Sequence, residues 1–256
     1  MKPVIISEID HVAHIKLHRP DVRNSFNAEM IHELTNIFEK LELRDDLRAI
    51  TLSGEGKVFC AGADLNWMKS MVEFSYAENL KDAQALYQMF SAQKKLNLPL
   101  IALVHGAAYG GALGLIANCD YVIAEEGTSF CFSEVKLGIS PAVISSFVLD
   151  KASPLVKHYM LSGSVFNAQK AKELFLVDEI LGKEHTHHQL QSIIHHYKEC
   201  GPLAVQKTKQ LLKAIAEEES PTKELTTQLI AELRTSLEGQ EGLKSFLEKR
   251  KPSWRS

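Results

Sequence analysis

The chain has 256 residues, of which 45% are hydrophobic and 24% are charged, and its formal net charge is −3. This length suits one large or two small domains with a substantial core, and the composition is typical of a soluble globular protein. The slightly acidic balance gives no support for a nucleic-acid partner, which requires a basic surface. No segment approaches the roughly 18 consecutive apolar residues that cross a membrane, and residues 1–4 show no apolar leader. We expect neither nucleic acid nor a membrane as a partner, and we expect a cytoplasmic protein.

The cysteines and histidines give no sign of a metal site. The four cysteines are Cys60, Cys119, Cys131 and Cys200. Their spacing is not that of paired metal ligands, and the first three lie in apolar surroundings that suit small buried hydrophobic side chains. The histidines between His185 and His196 have no carboxylate or cysteine partner to complete a ligand shell. We therefore expect reduced thiols, a polar surface helix and no bound metal.

The first half of the chain predicts parallel strands joined by a helical crossover. Predicted strands cover residues 4–9, 12–17, 48–52 and 100–104. Apolar residues at helical spacing between Met30 and Leu41 predict a first helix. A second, long helix over residues 80–96 separates the third and fourth strands, which is the pattern of a crossover between parallel strands.

Helices dominate the last third. Short predicted strands at 121–124, 129–132 and 177–180 complete the sheet. The breaker pair Gly201-Pro202 precedes further helices, which are predicted over 203–217, 222–237 and 240–249. We therefore divide the chain into a core, residues 1–200, and a helical region, residues 201–256.

A leucine stripe marks that helical region. The stripe consists of Leu225, Leu229, Leu233 and Leu237. A repeat of four residues puts these side chains on one helix face, which must be covered. The cover is either the chain's own core or another subunit.

Two glycine-rich turns each follow an apolar strand and precede a helix. They cover residues 62–65 and 106–114. At such a junction the first helical N–H groups have no intrahelical partner and the helix dipole adds positive potential, so a developing negative oxygen can be stabilised there. Two such turns facing each other would form an oxyanion hole. The alternative is that the glycines only allow close packing.

Glu134 is the only carboxylate in the apolar run 130–135. A carboxyl group removed from water has its pKa raised towards the range that is useful for proton transfer. Glu134 is therefore the candidate general acid/base. The alternative is a residue at a strand end that reaches solvent.

In order and spacing, these motifs resemble those of the crotonase, or enoyl-CoA hydratase/isomerase, superfamily. The matching stretches are Arg19-Pro20 with Asn24, Phe59–Leu65, the glycine-rich turn through Asp120, Phe130–Glu134, Leu137-Gly138 and Phe246–Lys251. The resemblance runs nearly end to end. It implies an α/β spiral of ββα units with a helical C-terminal trimerisation region, in a homotrimer or a dimer of trimers. Residues 66–69, 111–114 and 141–145 look most like the bacterial methylglutaconyl-CoA hydratases of leucine breakdown.

The resemblance implies an acyl-CoA thioester as substrate and no metal or redox cofactor. In crotonase-like enzymes the thioester oxygen is held by the backbone N–H groups that fall here on Ala63 and Gly111, and Glu134 falls on one of two catalytic glutamates. Prepositioned donors commonly contribute about 3–4 kcal/mol each. The implied CoA and acyl contacts are Arg19, Val22, Arg23, Lys57, Ala61, Asp64, Leu65, Trp67, Met68, Gly110, Phe132, Lys249 and Lys251.

Several of these residues have a second interpretation. Asp64 follows its turn directly and can cap the next helix. Trp67, Met68 and Phe132 are as typical of a core as of an acyl pocket. The tail lysines are implied to reach CoA phosphates, with a neighbouring subunit as one source.

Gly114 departs from the two-glutamate hydratases, because it occupies the position of their other catalytic carboxylate. Adding water requires its deprotonation and delivery of a proton to the α carbon. Either Glu134 performs both transfers, another group substitutes, or the reaction only moves a proton between carbons. A substrate with its own carboxylate, such as 3-methylglutaconyl-CoA, could supply the missing function. We expect a hydratase of a branched enoyl-CoA; the alternatives are an enoyl-CoA isomerase and a noncatalytic acyl-CoA-binding protein.

Overall fold

A computed structural model describes residues 2–217 and 223–254. The strands are Val4–Ile9 (β1), Val12–Leu17 (β2), Ala49–Gly54 (β3), Leu100–Val104 (β4), Ala107–Tyr109 (β5), Tyr121–Glu125 (β6), Ser129–Cys131 (β7), Phe166–Asn167 (β8) and Glu179–Leu181 (β9). The helices are Ala28–Glu42 (α1), Leu65–Glu73 (α2), Tyr76–Lys95 (α3), Gly111–Ala117 (α4), Ala142–Lys151 (α5), Val156–Ser162 (α6), Ala168–Glu173 (α7), Lys183–Lys198 (α8), Pro202–Glu217 (α9), Lys223–Thr235 (α10) and Leu237–Leu247 (α11). Short 3-10 turns cover Pro20–Val22 and Glu134–Leu137.

The strands form two sheets. The larger has the order β1-β2-β3-β4-β6-β9 and the smaller has the order β5-β7-β8. In the larger sheet β1 pairs antiparallel with β2 and the remaining neighbours are parallel. Parallel pairing of β3 with β4 across α3 confirms the predicted crossover.

Helices cover the larger sheet on both faces, which explains why its central strands are apolar on both sides. Ile50 and Leu52 of β3 point into the main core, which includes buried residues of α1, α3, α4 and α5. Ala49 of β3 and Ile101 of β4 point the other way, into a smaller cluster with Ile194 of α8. The strands, fixed from both sides, form a rigid support for the loops at their ends.

The predicted first helix is confirmed. The side chain of Asn27 accepts a hydrogen bond from the N–H of Met30 and so caps α1. The six apolar residues at helical spacing are all buried, and they are Met30, Ile31, Leu34, Ile37, Phe38 and Leu41.

Two of the differences from the prediction have a clear physical cause. Residues 107–109, predicted as part of a turn, form β5, because they pair with β7 over a sequence distance that local patterns do not reveal. The helix α3 begins at Tyr76, four residues earlier than predicted, because Ser75 and Glu78 form a capping box there.

The C-terminal helices join the core through α9. The ammonium groups of Lys209 and Lys213 donate to the carbonyl oxygens of Leu98 and Leu96, both at 2.8 Å. Glu238 of α11 accepts hydrogen bonds from the first turn of α9. The division near residue 201 stays a prediction. No helix among the described residues is long and apolar enough to cross a membrane.

The leucine stripe is only partly covered by the chain itself. Leu229 and Leu233 are half-buried, whereas Leu237 is 93% exposed. The side chain of Leu225 lies outside the described residues, as does residue 222, the predicted first residue of its helix.

Candidate active site

The two glycine-rich turns meet backbone to backbone. Gly62 has φ +93°, and a Cβ placed on it would lie 3.1 Å from the carbonyl oxygen of Tyr109 and 3.9 Å from the nitrogen of Gly110. A side chain at Gly62 would therefore separate the turns. The two turns therefore lie as close to each other as the sequence analysis expects for an oxyanion hole.

The N–H group of Ala63 is free because its two chain neighbours, Gly62 and Asp64, pair with Phe26. The N–H of Phe26 donates to the carbonyl of Gly62 at 2.7 Å, and the N–H of Asp64 donates to the carbonyl of Phe26 at 2.8 Å. In this parallel bridge the polar groups of Ala63 itself point to the opposite side. Among the described residues, no acceptor faces its N–H.

Gly111 presents a second free donor. It is the first residue of α4, whose first-turn N–H groups lack intrahelical partners. Gly110 before it has φ +55° and ψ −124°, a conformation that favours glycine, and its N–H donates to the carbonyl of Cys131 at 2.9 Å. This bond anchors the turn to β7. In the described part of the chain, the N–H of Gly111 has no acceptor.

Glu134 lies beside these donors. A Cβ placed on Gly110 would lie 3.3 Å from Oε1 of Glu134, so the carboxyl group lies next to the second glycine-rich turn. Its Oε2 is buried and has no hydrogen-bond partner within the described residues. Burial raises the pKa of Glu134, and a backbone hydrogen bond within the residue opposes this effect only in part. A carboxyl in this state is ready to exchange a proton with a bound molecule.

The space at Gly114 is filled by apolar side chains. A Cβ on Gly114 would lie 2.8 Å from Cγ2 of Ile144 and 2.8 Å from Cε1 and Cζ of Phe90. A glutamate therefore cannot be accommodated there without movement of its neighbours. The chain therefore lacks a carboxylate at position 114, and apolar side chains occupy the space that such a carboxylate would need.

Asp64 caps α2, as one of its two interpretations predicts. Its Oδ1 accepts from the N–H groups of Asn66 at 2.8 Å and Trp67 at 3.2 Å. Its Oδ2 accepts from Arg19 at 2.8 Å. Burial raises the pKa of Asp64, but the two backbone donors and Arg19 outweigh it and the pKa is lowered overall. Asp64 is thus ionised, and it holds both the N-terminus of α2 and the side chain of Arg19 in place.

Comparison with known proteins identifies the family. The sequence pattern described as Enoyl-CoA hydratase/isomerase matches residues 8–256. The chain belongs to the enoyl-CoA hydratase/isomerase family. It is 30% identical over 259 residues to the (E)-benzylidenesuccinyl-CoA hydratase of Thauera aromatica, with 99% of each chain covered. It is also 30% identical over 260 residues to the 2,3-dehydroadipyl-CoA hydratase of Escherichia coli, covering 100% of this chain and 99% of that protein.

A solved structure supports the same assignment. The crystal structure of an enoyl-CoA hydratase from Shewanella pealeana has a TM-score of 0.92 to this chain and 38% identity, and it covers 98% of this chain and 96% of its own. The predicted crotonase-like α/β fold class is therefore confirmed. The chain is an enzyme of the enoyl-CoA hydratase/isomerase family, which acts on acyl-CoA thioesters.

The remaining residues that the family resemblance implies fall into two groups. The first group lies on α2 and directly after β7. Leu65 is exposed, Met68 is half-buried and Phe132 is fully buried against Phe166. Trp67 is half-buried, and its indole N–H donates to Asp82 at 3.2 Å. Their contact with an acyl group stays a prediction.

The second group concerns the CoA end. Val22, Arg23 and Lys57 are exposed, and the carbonyl of Arg23 accepts from the N–H of Ala61 at 3.0 Å, which holds this loop against the first turn. The guanidinium of Arg19 is already engaged by Asp64.

The tail lysines, Lys249 and Lys251, are exposed. They follow α11, whose most extensive contacts are with α10 and α9. Their contact with CoA phosphates, like that of Arg19, stays a prediction for this enoyl-CoA hydratase/isomerase.

Sequence reasoning missed that Phe90 and Ile144 pack against Gly114 and shape the site there. Both lie far from Gly114 in sequence, on α3 and α5. The helical periodicity of α3 indicates that Phe90 faces the core, but no local pattern shows which residue it meets.

Proposed function

We propose that this enzyme hydrates a short, branched enoyl-CoA such as 3-methylglutaconyl-CoA, in leucine degradation. The observation that carries the proposal is the contact between Glu134 and Gly110, which puts an acid/base group beside the free N–H donors of Ala63 and Gly111. The hydratases among its relatives support the reaction. The acyl group rests on the subfamily likeness of residues 66–69, 111–114 and 141–145.

The proposed reaction uses one carboxyl group for both proton transfers. The N–H groups of Ala63 and Gly111 hold the thioester oxygen and polarise the conjugated double bond. Ionised Glu134 takes a proton from water as the water oxygen bonds to the β carbon, and the thioester oxygen takes up the negative charge of the enolate. Protonated Glu134 then donates to the α carbon, which restores both the thioester and the carboxylate. This scheme needs no metal or redox cofactor.

A second candidate is an enoyl-CoA isomerase, and the packing at Gly114 favours it. Ile144 and Phe90 fill the position of a second carboxylate, and an isomerase needs only one group to remove and return a proton. The product then carries a shifted double bond and no added water.

The test measures absorbance and product mass together. Purified enzyme is mixed with 3-methylglutaconyl-CoA, and with crotonyl-CoA as an uncharged comparison. Hydration predicts loss of the enoyl-thioester absorbance and a mass gain of one water, both abolished in Glu134→Gln. A product of unchanged mass would establish the isomerase. Equal rates on both substrates would refute a role for the substrate carboxylate.

We also infer a homotrimer or a dimer of trimers. The support is the exposed apolar surface of α11, where Leu237 is 93% and Phe246 is 82% exposed. Such a surface on a soluble protein is typical of an interface. Sedimentation equilibrium would refute the inference by giving a monomer mass. A reducing location such as the cytoplasm is supported by the free thiols of all four cysteines.

A further inference from the structure

A cleft lies on the far side of Phe147 from Phe90. It has a volume of about 560 Å³ and opens between α1, α3, α5 and α9. This volume lies within the range of small-molecule pockets, roughly 300–1,000 Å³. Tyr87 and Phe147 form the aromatic part of its wall, and the charged side chains that line the rest are Glu42, Lys94, Lys95, Asp150 and Lys213.

A row of aromatic rings, each tilted by almost 50° to the next, lies between this cleft and the glycine-rich turns. On the active-site side, Cζ of Phe90 would lie 3.9 Å from a Cβ on Gly111 and 2.8 Å from one on Gly114. On the other side, the Phe90 ring lies 5.5 Å from that of Phe147. Phe147 in turn lies 5.4 Å from Tyr87. The path from Gly114 to the cleft therefore crosses Phe90 first.

We propose that Phe90 sets the length of acyl chain that the enzyme accepts, by closing the end of the acyl pocket against this cleft. The proposal rests on the proposed function, because it assumes that the thioester oxygen binds at Ala63 and Gly111. A chain that extends from that point past Gly114 meets the Cε1 and Cζ atoms of a fully buried ring. Short acyl groups end before the ring, and longer ones have no space.

The position of Phe90 makes it a firm barrier. It lies in the last third of the 20-residue helix α3, between Met89 and the buried residues Ala92 and Gln93. A ring packed in a dense core cannot move without opening a cavity. Tyr87, at 52% exposure, has the freedom that Phe90 lacks. Removal of the Phe90 ring would thus lengthen the site as far as Phe147, the residue that forms the wall of the cleft.

The same ring accounts for the departure at Gly114. Because Phe90 occupies the space beside Gly114, a carboxylate there and this ring exclude each other. Loss of the second carboxylate and a short acyl pocket are then two consequences of one packing arrangement.

Binding of saturated acyl-CoAs tests the proposal without requiring turnover. Calorimetry measures the affinities of butanoyl-CoA and dodecanoyl-CoA for the wild type, Phe90→Ala and Phe90→Leu. Each methylene that enters an apolar space raises affinity about fourfold. We expect the wild type to favour butanoyl-CoA, and the dodecanoyl-to-butanoyl affinity ratio to rise at least about tenfold in Phe90→Ala, with a smaller rise in Phe90→Leu.

Ile194→Ala is the matched control, because it opens a cavity in the cluster on the opposite face of the sheet. The dodecanoyl-to-butanoyl affinity ratio of Ile194→Ala should equal that of the wild type. The proposal is overturned if the wild type already favours dodecanoyl-CoA, or if a folded Phe90→Ala shows no change in ratio. If Phe90→Ala does not fold, Phe90→Leu decides by the same criterion. A changed ratio in an enzyme without hydratase activity would refute the proposed function and keep this inference.

Discussion

Glu134 and Gly110 are in direct contact: a Cβ on Gly110 would lie 3.3 Å from Oε1 of Glu134. The backbone of Gly110 leads into Gly111, whose N–H is the first free donor of α4. The carboxyl group of Glu134 and the N–H of Gly111, to which we assign proton transfer and oxygen binding, are therefore separated by a single residue without a side chain. This contact explains why the turn needs glycine for space as well as for conformation.

Gly110→Ala should weaken both the fold and catalysis. The residue has φ +55°, where an L side chain is strained, and such strain costs about 1–3 kcal/mol. The added methyl also pushes on Glu134. We expect a free energy of unfolding lower by about that amount and a fall in kcat. Urea denaturation and the absorbance assay measure the two effects.

Gly127→Ala is the control for that substitution, because a Cβ there meets nothing within 4 Å and the position has no positive φ. Its stability and kcat should match the wild type. An equal loss in both variants would show that the contact with Glu134 is unimportant.

Glu134→Gln should inactivate the enzyme and stabilise it at neutral pH. Loss of a general acid/base lowers the rate roughly 10²- to 10⁴-fold. Because burial raises the folded-state pKa of Glu134 above its ordinary value of 4.5, ionisation opposes folding. That cost is absent below the unfolded pKa and grows as pH rises to the folded pKa. The variant should therefore melt at a higher temperature than the wild type at neutral pH.

The pH dependence supplies the check. The difference in melting temperature should shrink towards zero as pH falls below 4.5, where both states of the wild type hold the proton. A constant difference at all pH values would mean that the gain comes from packing and not from the charge of Glu134.

Gly114→Glu should fail to create a two-carboxylate site. The new side chain meets Phe90 and Ile144 at its first carbon, 2.8 Å away, and overpacking of a core costs about 1–3 kcal/mol before the charge is counted. We expect lower stability and no gain in hydration rate. The smaller Gly114→Ala gains about 0.5–1 kcal/mol in helix propensity, so its net loss should be smaller.

A double-mutant cycle identifies the cause of that loss. Phe90→Leu removes the ring that Gly114→Ala meets, so the double variant should be more stable than the sum of the single changes predicts. Additive effects would argue against the clash.

The sequence predicts the parts of this fold that depend on local patterns. Strands β1 and β2 and the buried face of α1 agree with the prediction residue by residue. Helical spacing determines the buried face of α1, whereas β1 shows no alternation and buries only Val4. Strand β5 was missed because its alanines carry little strand preference and its partner β7 is distant. Pairing between distant segments leaves no local trace.

In the candidate site, too, local patterns predict some features and only the fold determines others. The two turns and Glu134 are visible as motifs, and the structure brings them together. The engagement of Arg19 by Asp64 is not visible, because 45 residues separate them. A basic residue near a site can meet either a ligand or the protein, and only the fold decides between these partners.

Asp64→Ala should destabilise the start of α2 more than Asp64→Asn. Asparagine is as good an N-cap as aspartate, so it keeps the bonds to Asn66 and Trp67 and loses only the charge that Arg19 pairs with. Alanine loses both, and the cap alone is worth about 0.5–2 kcal/mol. Since the pKa of Asp64 lies below 3.8 in the fold, its contribution should be present above that pH and disappear as pH falls through the folded pKa. Urea titrations of both variants across this pH range measure it; equal losses in the two would contradict the capping role.

Glu238→Ala should loosen the junction between α11 and α9. The two oxygens of Glu238 accept from the N–H groups of Leu203 and Ala204, both at 2.8 Å, and a carboxylate at a helix N-terminus gains from the dipole as well. Its loss leaves these donors to solvent, so hydrogen exchange in the first turn of α9 should become faster. Lys244→Ala on the same helix is the control and should leave this exchange unchanged. Unchanged exchange in Glu238→Ala would mean that apolar packing alone holds α11 in place.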